Sequence, residues 1–332
     1  YKRQFVSPVA DPTGHATNEE LRAMSEAMKR RILEINAENP TAVFGLWVDD
    51  LRCRLGYDWF VAQGIDSARV KVTMLSDGTA TYNNFHNYFG DAATAEQNWN
   101  DYAAEVEALD WNHGGRYPET RAPEEFASYT WPYYLSTRPD YRLMLQNSSL
   151  MESSCPFIAD RLAAMKMESV QPYELLTALP EASKQQFYRM AKFDYARFAG
   201  LFDLSPKKNL IIIGTSHSSA ASEQQQAAYV ERIIQQYGSD YDIFFKPHPA
   251  DSSSAGYPDR FEGLTLLPGQ MPFEIFVWAL LDKIDMIGGY PSTVFLTVPL
   301  DKVRFIFAAN AESMARPLNI LFRDATDVEW MQ

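Results

Sequence analysis

Leu21, Met24, Met28, Ile32 and Ile35 recur every three or four residues with charges between them, the period of an amphipathic helix. Thr17 and Glu20 stand at capping-box spacing before it, and Asn39-Pro40 ends it. The apolar run at 43–48 predicts a buried strand. A helical stretch through Trp59 and a second strand at 70–75 complete a β-α-β unit, the building block of a parallel sheet. Residues 91–200 read as mostly helical, divided by Pro118, Pro123, Pro132 and Pro139. Their aromatics include Trp111, Tyr117, Trp131, Tyr133 and Tyr134, and core packing is favoured for these over a carbohydrate platform. From residue 206 the pattern is α/β. Strands are predicted at 209–213, 241–245, 264–267, 284–287 and 303–307, with a helix over 223–237 and others starting near Pro272 and Ser292. This is a doubly wound arrangement. The serine-rich stretch 251–256 reads as a flexible loop.

The length of 332 residues favours two domains, and the break in pattern puts the boundary near Ser205-Pro206. The expected domains are 1–205, with a helical insertion, and 206–332, whose last segment is expected to pack back on the first. Composition sharpens this little: 46% hydrophobic and 22% charged residues describe a globular chain. The net charge of −13 excludes a nucleic-acid partner, because phosphate neutralisation needs a basic surface. Cys53 and Cys155 lie far apart without CxxC spacing, which excludes a disulfide framework and a zinc knuckle and suits a reducing compartment. No run approaches ~18 apolar residues. The chain begins at Tyr1 rather than Met, which leaves room for a leader or anchor upstream. A cytoplasmic or membrane-associated location is expected, with membrane association only through such a segment.

In open parallel sheets ligands sit beyond the carboxyl ends of the strands, so residues just after strands matter most. Asp77-Gly78 follows the strand at 70–75. A tight turn is the bland reading; a carboxylate serving as general base is the functional one. Lys246-Pro247-His248-Pro249 follows the strand at 241–245. Flanking prolines hold an imidazole that can donate to a phosphate or protonate a leaving oxygen. Gly288-Gly289-Tyr290-Pro291-Ser292-Thr293 follows the strand at 284–287. The glycines allow close backbone approach, and two hydroxyls at a helix start suit an anion. Gly214-Thr215 follows the first strand of the second domain and can cradle part of a nucleotide. Glu274, in the first turn of its helix, is stabilised by the dipole or accepts from a ribose diol. There is no Walker motif, GxGxxG, HExxH or Gly-x-Ser-x-Gly elbow. Asp49-Asp50 is not the Asp-x-Asp that holds a divalent ion under a sugar nucleotide, and no metal site is expected.

Together these motifs resemble the bacterial sialyltransferases of glycosyltransferase family 80, the Pasteurella and Photobacterium type. The carriers are the Asp-Gly step at 77–78, Lys-x-His-Pro at 246–249 and the hydroxyl pair 292–293. Residues 209–216, 241–249, Phe273-Glu274 and 288–303 are similar in order and spacing, as are 120–205. The likeness spans residue 41 to the end. It implies a GT-B fold of two Rossmann-like domains, the first on the acceptor side and the second binding the CMP donor. It also implies an inverting, metal-independent sialyltransferase of bacterial cell-surface glycans such as lipopolysaccharide. No cofactor is expected; the partners are a CMP-activated nonulosonic acid and a galactoside acceptor. By the same resemblance Asp77 is the base and His248 the acid. Gly214, Thr215, Lys246, Pro249, Glu274, Ser292 and Thr293 bind the nucleotide, and Asp49 and Ser218 lie where the acceptor is held. Ser76, Pro247 and Ser218 depart from the pattern, standing where members carry an acid, a glycine and a tryptophan. Alternatives are transfer of Kdo, legionaminic or pseudaminic acid from CMP, a UDP-sugar enzyme of the same fold, and a bilobed binding protein without catalysis.

Overall fold

Strand by strand, the apolar runs become two parallel sheets. A computed structural model describes residues 18–48, 57–76, 78–108, 131–217, 219–251 and 253–332. The chain divides into two units, Tyr1–Glu168 and Ser169–Gln332.

In the first unit α1 (Asn18–Glu38) leads into β1 (Phe44–Val48), α2 (Tyr57–Ala62) and β2 (Val70–Leu75). Then come α3 (Gly78–Phe89), α4 (Ala95–Ala108), α5 (Trp131–Leu135), β3 (Tyr141–Leu145), α6 (Pro156–Ala164) and β4 (Met167–Ser169). The sheet order is β1-β2-β3-β4, with β1, β2 and β3 paired parallel. Ile32 and Ile35 of α1 pack against Phe44, Trp59, Phe60, Ile65 and Val70, the face that the 3.6-residue period marks. Of the five aromatics expected to pack in the core, Tyr133 and Tyr134 have described surroundings, and both make ring contacts inside this unit. Tyr133 is buried edge-on against Phe85 and Phe89, and Tyr134 meets Trp99. Trp111, Tyr117 and Cys53 lie outside the described residues; Cys155 is a buried free thiol.

The described part of 91–200 is mostly helical, as expected, and β3 and β4 add two short strands that the sequence pattern did not predict. Tyr141, Leu143 and Leu145 are buried and alternate with Arg142 and Met144, the two-residue period of a half-covered strand. Across the other face, register aligns Trp47 with Thr73 and Thr73 with Arg142. Arg142 Nε donates to Thr73 Oγ1 (2.9 Å) and Nη1 to Glu168 Oε1 (2.9 Å), while the guanidinium lies 5.6 Å over the Trp47 ring.

The second unit opens with α7 (Pro172–Ala178), α8 (Glu181–Met190) and α9 (Tyr195–Phe202). It continues with β5 (Lys208–Ile213), α10 (Ala220–Tyr237), β6 (Tyr241–Lys246), α11 (Tyr257–Arg260), β7 (Leu264–Leu266), α12 (Phe273–Leu280), β8 (Met286–Gly289), β9 (Val303–Ile306), α13 (Leu318–Leu321) and β10 (Glu329–Trp330). Residues 169–205 therefore group with this unit, not the first as the sequence pattern suggested. Phe193 and Phe198 meet Phe276 of α12 edge-on (5.3 and 4.7 Å), and Phe202 stacks on Phe244 of β6 at 4.4 Å. Burying these rings ties α9 and the segment just before it to the second core.

The second sheet runs β10-β9-β8-β5-β6-β7, every pair parallel. Counted from β5, the order is 3-2-1-4-5-6, the Rossmann arrangement, and its direction reverses between β5 and β8. Leu210, Ile211 and Ile212 are wholly buried, as a strand covered on both faces requires. The helix expected from Ser292 is instead a single 3₁₀ turn, Thr293–Leu296. Pro299 supplies no N–H to continue it. The stretch read as a loose loop at 251–256 contains a 3₁₀ turn, Ser253–Gly256, with Ser254 buried.

Candidate functional site

Strand order reverses between β5 and β8, and in such sheets the usual ligand position lies beyond the carboxyl ends of the strands at that reversal. Register places the exits of β5, β6 and β8 side by side, since Ile213 pairs with both Lys246 and Gly289. Gly214-Thr215, Lys246–Pro249 and the Ser292-Thr293 pair are thus gathered at one edge of the second sheet.

At the β5 exit the Gly214 N–H donates to Lys246 O (2.9 Å). A Cβ on Gly214 would lie 2.6 Å from Phe245 Cζ and 3.1 Å from Gln226 Oε1, so only glycine fits. The Thr215 N–H donates to Gln226 Oε1 at 3.0 Å. His217, which belongs to none of the sequence motifs, has both ring nitrogens closed off from solvent and, among the described residues, without a hydrogen-bond partner. Its only sequence signal is its place four residues after the strand.

At the β6 exit Lys246 is buried, and its ammonium donates to Pro247 O (2.8 Å) and Gly269 O (3.0 Å). Burial lowers its pKa to about 8, opposed by the nearby Glu274 carboxylate. Two expected nucleotide contacts are therefore neighbours. Glu274 is half-buried in the first turn of α12. His248 is exposed, and its Nδ1 accepts the Ala250 N–H at 3.1 Å. That bond assigns the remaining proton to Nε2, which becomes the outward donor. Pro249 is exposed and its carbonyl accepts from Gln270 Nε2 (3.1 Å).

At the β8 exit the two glycines serve the packing of the sheet itself. Both are buried within β8. A Cβ on Gly288 would lie 2.5 Å from Phe305, and one on Gly289, at φ +130°, 2.3 Å from Ile213 O. They let three strands close up. Ser292 caps the following 3₁₀ turn, its Oγ accepting the Val294 N–H at 3.3 Å, and Thr293 begins that turn. Both are partly exposed.

Asp77, Asp49 and Ser218 lie outside the described residues. Next to Asp77 in the chain, the Ser76 N–H donates to Met144 O and Gly78 opens α3 at φ +54°. Among the described residues no three His, Cys, Asp or Glu side chains gather as a metal site, and no helix is long and apolar enough to cross a membrane.

No protein-family model matches this chain, and no curated protein matches its sequence. Solved structures do. An α/β-galactoside α-2,3-sialyltransferase from Photobacterium phosphoreum is 18% identical, with a TM-score of 0.67 over 93% of this chain and 84% of its own. The GT-B domain of a Photobacterium damselae sialyltransferase is 18% identical, at 0.64 over 96% and 84%. A 2,6-sialyltransferase of Photobacterium sp. JT-ISH-224, solved with the donor product CMP and the acceptor lactose, is 15% identical, at 0.62 over 97% and 67%. The chain shares the GT-B fold with these enzymes.

Proposed function

We propose that this chain is an inverting, metal-independent glycosyltransferase of the sialyltransferase type, moving sialic acid or a related nonulosonic acid from CMP to a glycan hydroxyl. The observation that carries the proposal is the gathering of Gly214-Thr215, Lys246–Pro249 and Ser292-Thr293 at the Rossmann switch point of a GT-B fold. The similar enzyme solved with CMP and lactose supports a cytidine donor and a galactoside acceptor.

In this mechanism the acceptor oxygen attacks C2 of the donor sugar as the bond from C2 to the phosphate oxygen breaks. The acceptor proton passes to the Asp77 carboxylate, and CMP leaves with the bonding electrons. His248 Nε2–H and the Ser292 and Thr293 hydroxyls stabilise the charge that grows on the departing phosphate. Glu274 accepts from the ribose hydroxyls, Asp49 holds the acceptor, and Ser218 offers it no aromatic face. CMP-linked Kdo, legionaminic and pseudaminic acids remain rival donors within this chemistry.

The test is a screen of CMP-sugars against galactosides with product linkage analysis, run beside calorimetry with CMP and UDP. Transfer from a CMP-sugar, undiminished by EDTA, is expected. His248→Ala should lower CMP affinity and rate together by on the order of ten- to a hundred-fold, the worth of a hydrogen bond to a charged group. Preference for UDP, or an active His248→Ala with unchanged CMP affinity, would overturn the assignment.

A further inference from the structure

Gln226 lies in the second turn of α10, is completely buried, and is absent from every motif discussed above. A buried amide must satisfy both ends, and this one does so across two loops. Its Oε1 accepts the Thr215 N–H at 3.0 Å. Its Nε2 donates to Tyr257 OH at 3.2 Å and to Asp251 Oδ2 at 3.4 Å. The amide orientation is unambiguous, because a backbone N–H faces one end and an acceptor-only carboxylate the other.

Asp251 belongs to the loop that carries the histidine. Its backbone N–H donates to His248 O (2.9 Å), next to the Ala250 N–H bonded to His248 Nδ1. Its Oδ1 accepts from the Ser253 N–H (2.9 Å) and hydroxyl (2.7 Å). Burial opposes the charged form, but hydrogen bonds from Ser253, Ser254 and Gln226 outweigh it and hold the carboxyl below its ordinary range. A continuous hydrogen-bonded path therefore runs from Thr215 through Gln226 and Asp251 to the backbone of His248. Gly214 belongs to the same packing, since a Cβ there would press on Gln226 Oε1.

We infer that Gln226 is a positioning residue that couples the loop after β5 to the histidine loop after β6, so that nucleotide contacts and the acid are set by one buried amide. This rests on the nucleotide-site reading above and deepens it. Two substitutions separate the two ends of the amide. Gln226→Met keeps the length and removes every hydrogen bond. Gln226→Glu keeps an oxygen for Thr215, but has no N–H for Tyr257 and sets a second carboxylate against Asp251.

Hydrogen exchange followed by mass spectrometry reads the loops directly. In Gln226→Met, peptides covering 214–219 and 247–256 should both exchange about ten-fold faster, with α12 and β9 unchanged. In Gln226→Glu, only 247–256 should accelerate. CMP affinity by calorimetry should fall about ten-fold in Gln226→Met. A general loosening of the second unit, or identical patterns in both variants, would reduce Gln226 to core packing and overturn the inference. Should Gln226→Met not fold, Tyr257→Phe removes a single partner. It should speed exchange in 247–256 alone, and no change there would equally overturn the coupling. If the wild-type protein binds no CMP, the proposed function fails, while the exchange pattern still decides the role of Gln226.

Discussion

The two sheets share a parallel topology and differ in what their faces do. In the second, β5 and β6 are apolar on both faces, and β8 is squeezed between β5 and β9 closely enough to require Gly288 and Gly289. In the first, β3 alternates, and the opposite face carries a row of Trp47, Thr73, Arg142 and Glu168. Side chains hold that row together. The second sheet is held by backbone proximity, and its exit loops inherit fixed positions from it. Substitution should therefore be costly at the strand junction and cheap along the polar row.

The harshest way to test that contrast is Gly289→Ala. The new Cβ meets the Ile213 backbone at 2.3 Å in a conformation that favours glycine, so neither strand can yield by rotating a side chain. Strain and overpacking together should cost about 3–5 kcal/mol, read as a lowered urea midpoint for the second unit. A variant with an unchanged midpoint would show that the junction is slack.

A milder test uses pH at the edge of the same sheet. Lys246 has its pKa lowered to about 8 by burial, against the pull of Glu274. Between about 8 and the ordinary value near 10.5, the unfolded chain binds the proton and the folded chain does not. At this residue, raising pH through that window favours the fold. It also removes the positive charge that offsets an anionic ligand. CMP affinity should accordingly fall as pH rises through about 8, while the melting temperature does not fall in step through this group. Calorimetry from pH 7 to 9.5, with Lys246→Met as the flat control, checks this. Affinity that holds level across the range would remove Lys246 from the charge balance of the site.

The smallest effect belongs to the polar row. Arg142→Met keeps the stem across Trp47 and discards the hydrogen bonds to Thr73 and Glu168. Both partners of the ion pair are about half exposed, so the loss should stay within ~1 kcal/mol. A loss of more than about 2 kcal/mol in urea would erase the distinction between the sheets.

Legibility in the sequence followed the same divide. The unbroken runs at 209–213 and 241–245 announce doubly covered strands, and they led to β5, β6 and the motifs that follow them. β3 was hidden because five alternating residues amid many aromatics carry little periodic signal. The glycines at 288–289 were visible, but their purpose was not: only the register with Ile213 and Phe305 shows that they serve strand packing. The start of the second unit was missed because the rings of Phe193, Phe198 and Phe202 find their partners 42 or more residues away, at Phe244 and Phe276. Gln226 had no signal at all. A glutamine on an amphipathic helix looks like surface until the loops on either side of it are in place.

The cross-tie made by Lys246 has a consequence in valence. An ammonium has three N–H bonds, and two are committed to carbonyls that join the end of β6 to residue 269. A phosphate or base arriving at this edge can recruit only the third without undoing that tie. The positive charge acts at a distance, while the directional bonds to a ligand fall to His248 Nε2 and the hydroxyls after β8. Arginine cannot inherit the post. Its planar fork cannot direct donors tetrahedrally to two carbonyls and a ligand at once, so Lys246→Arg should retain the charge and lose the shape of this edge.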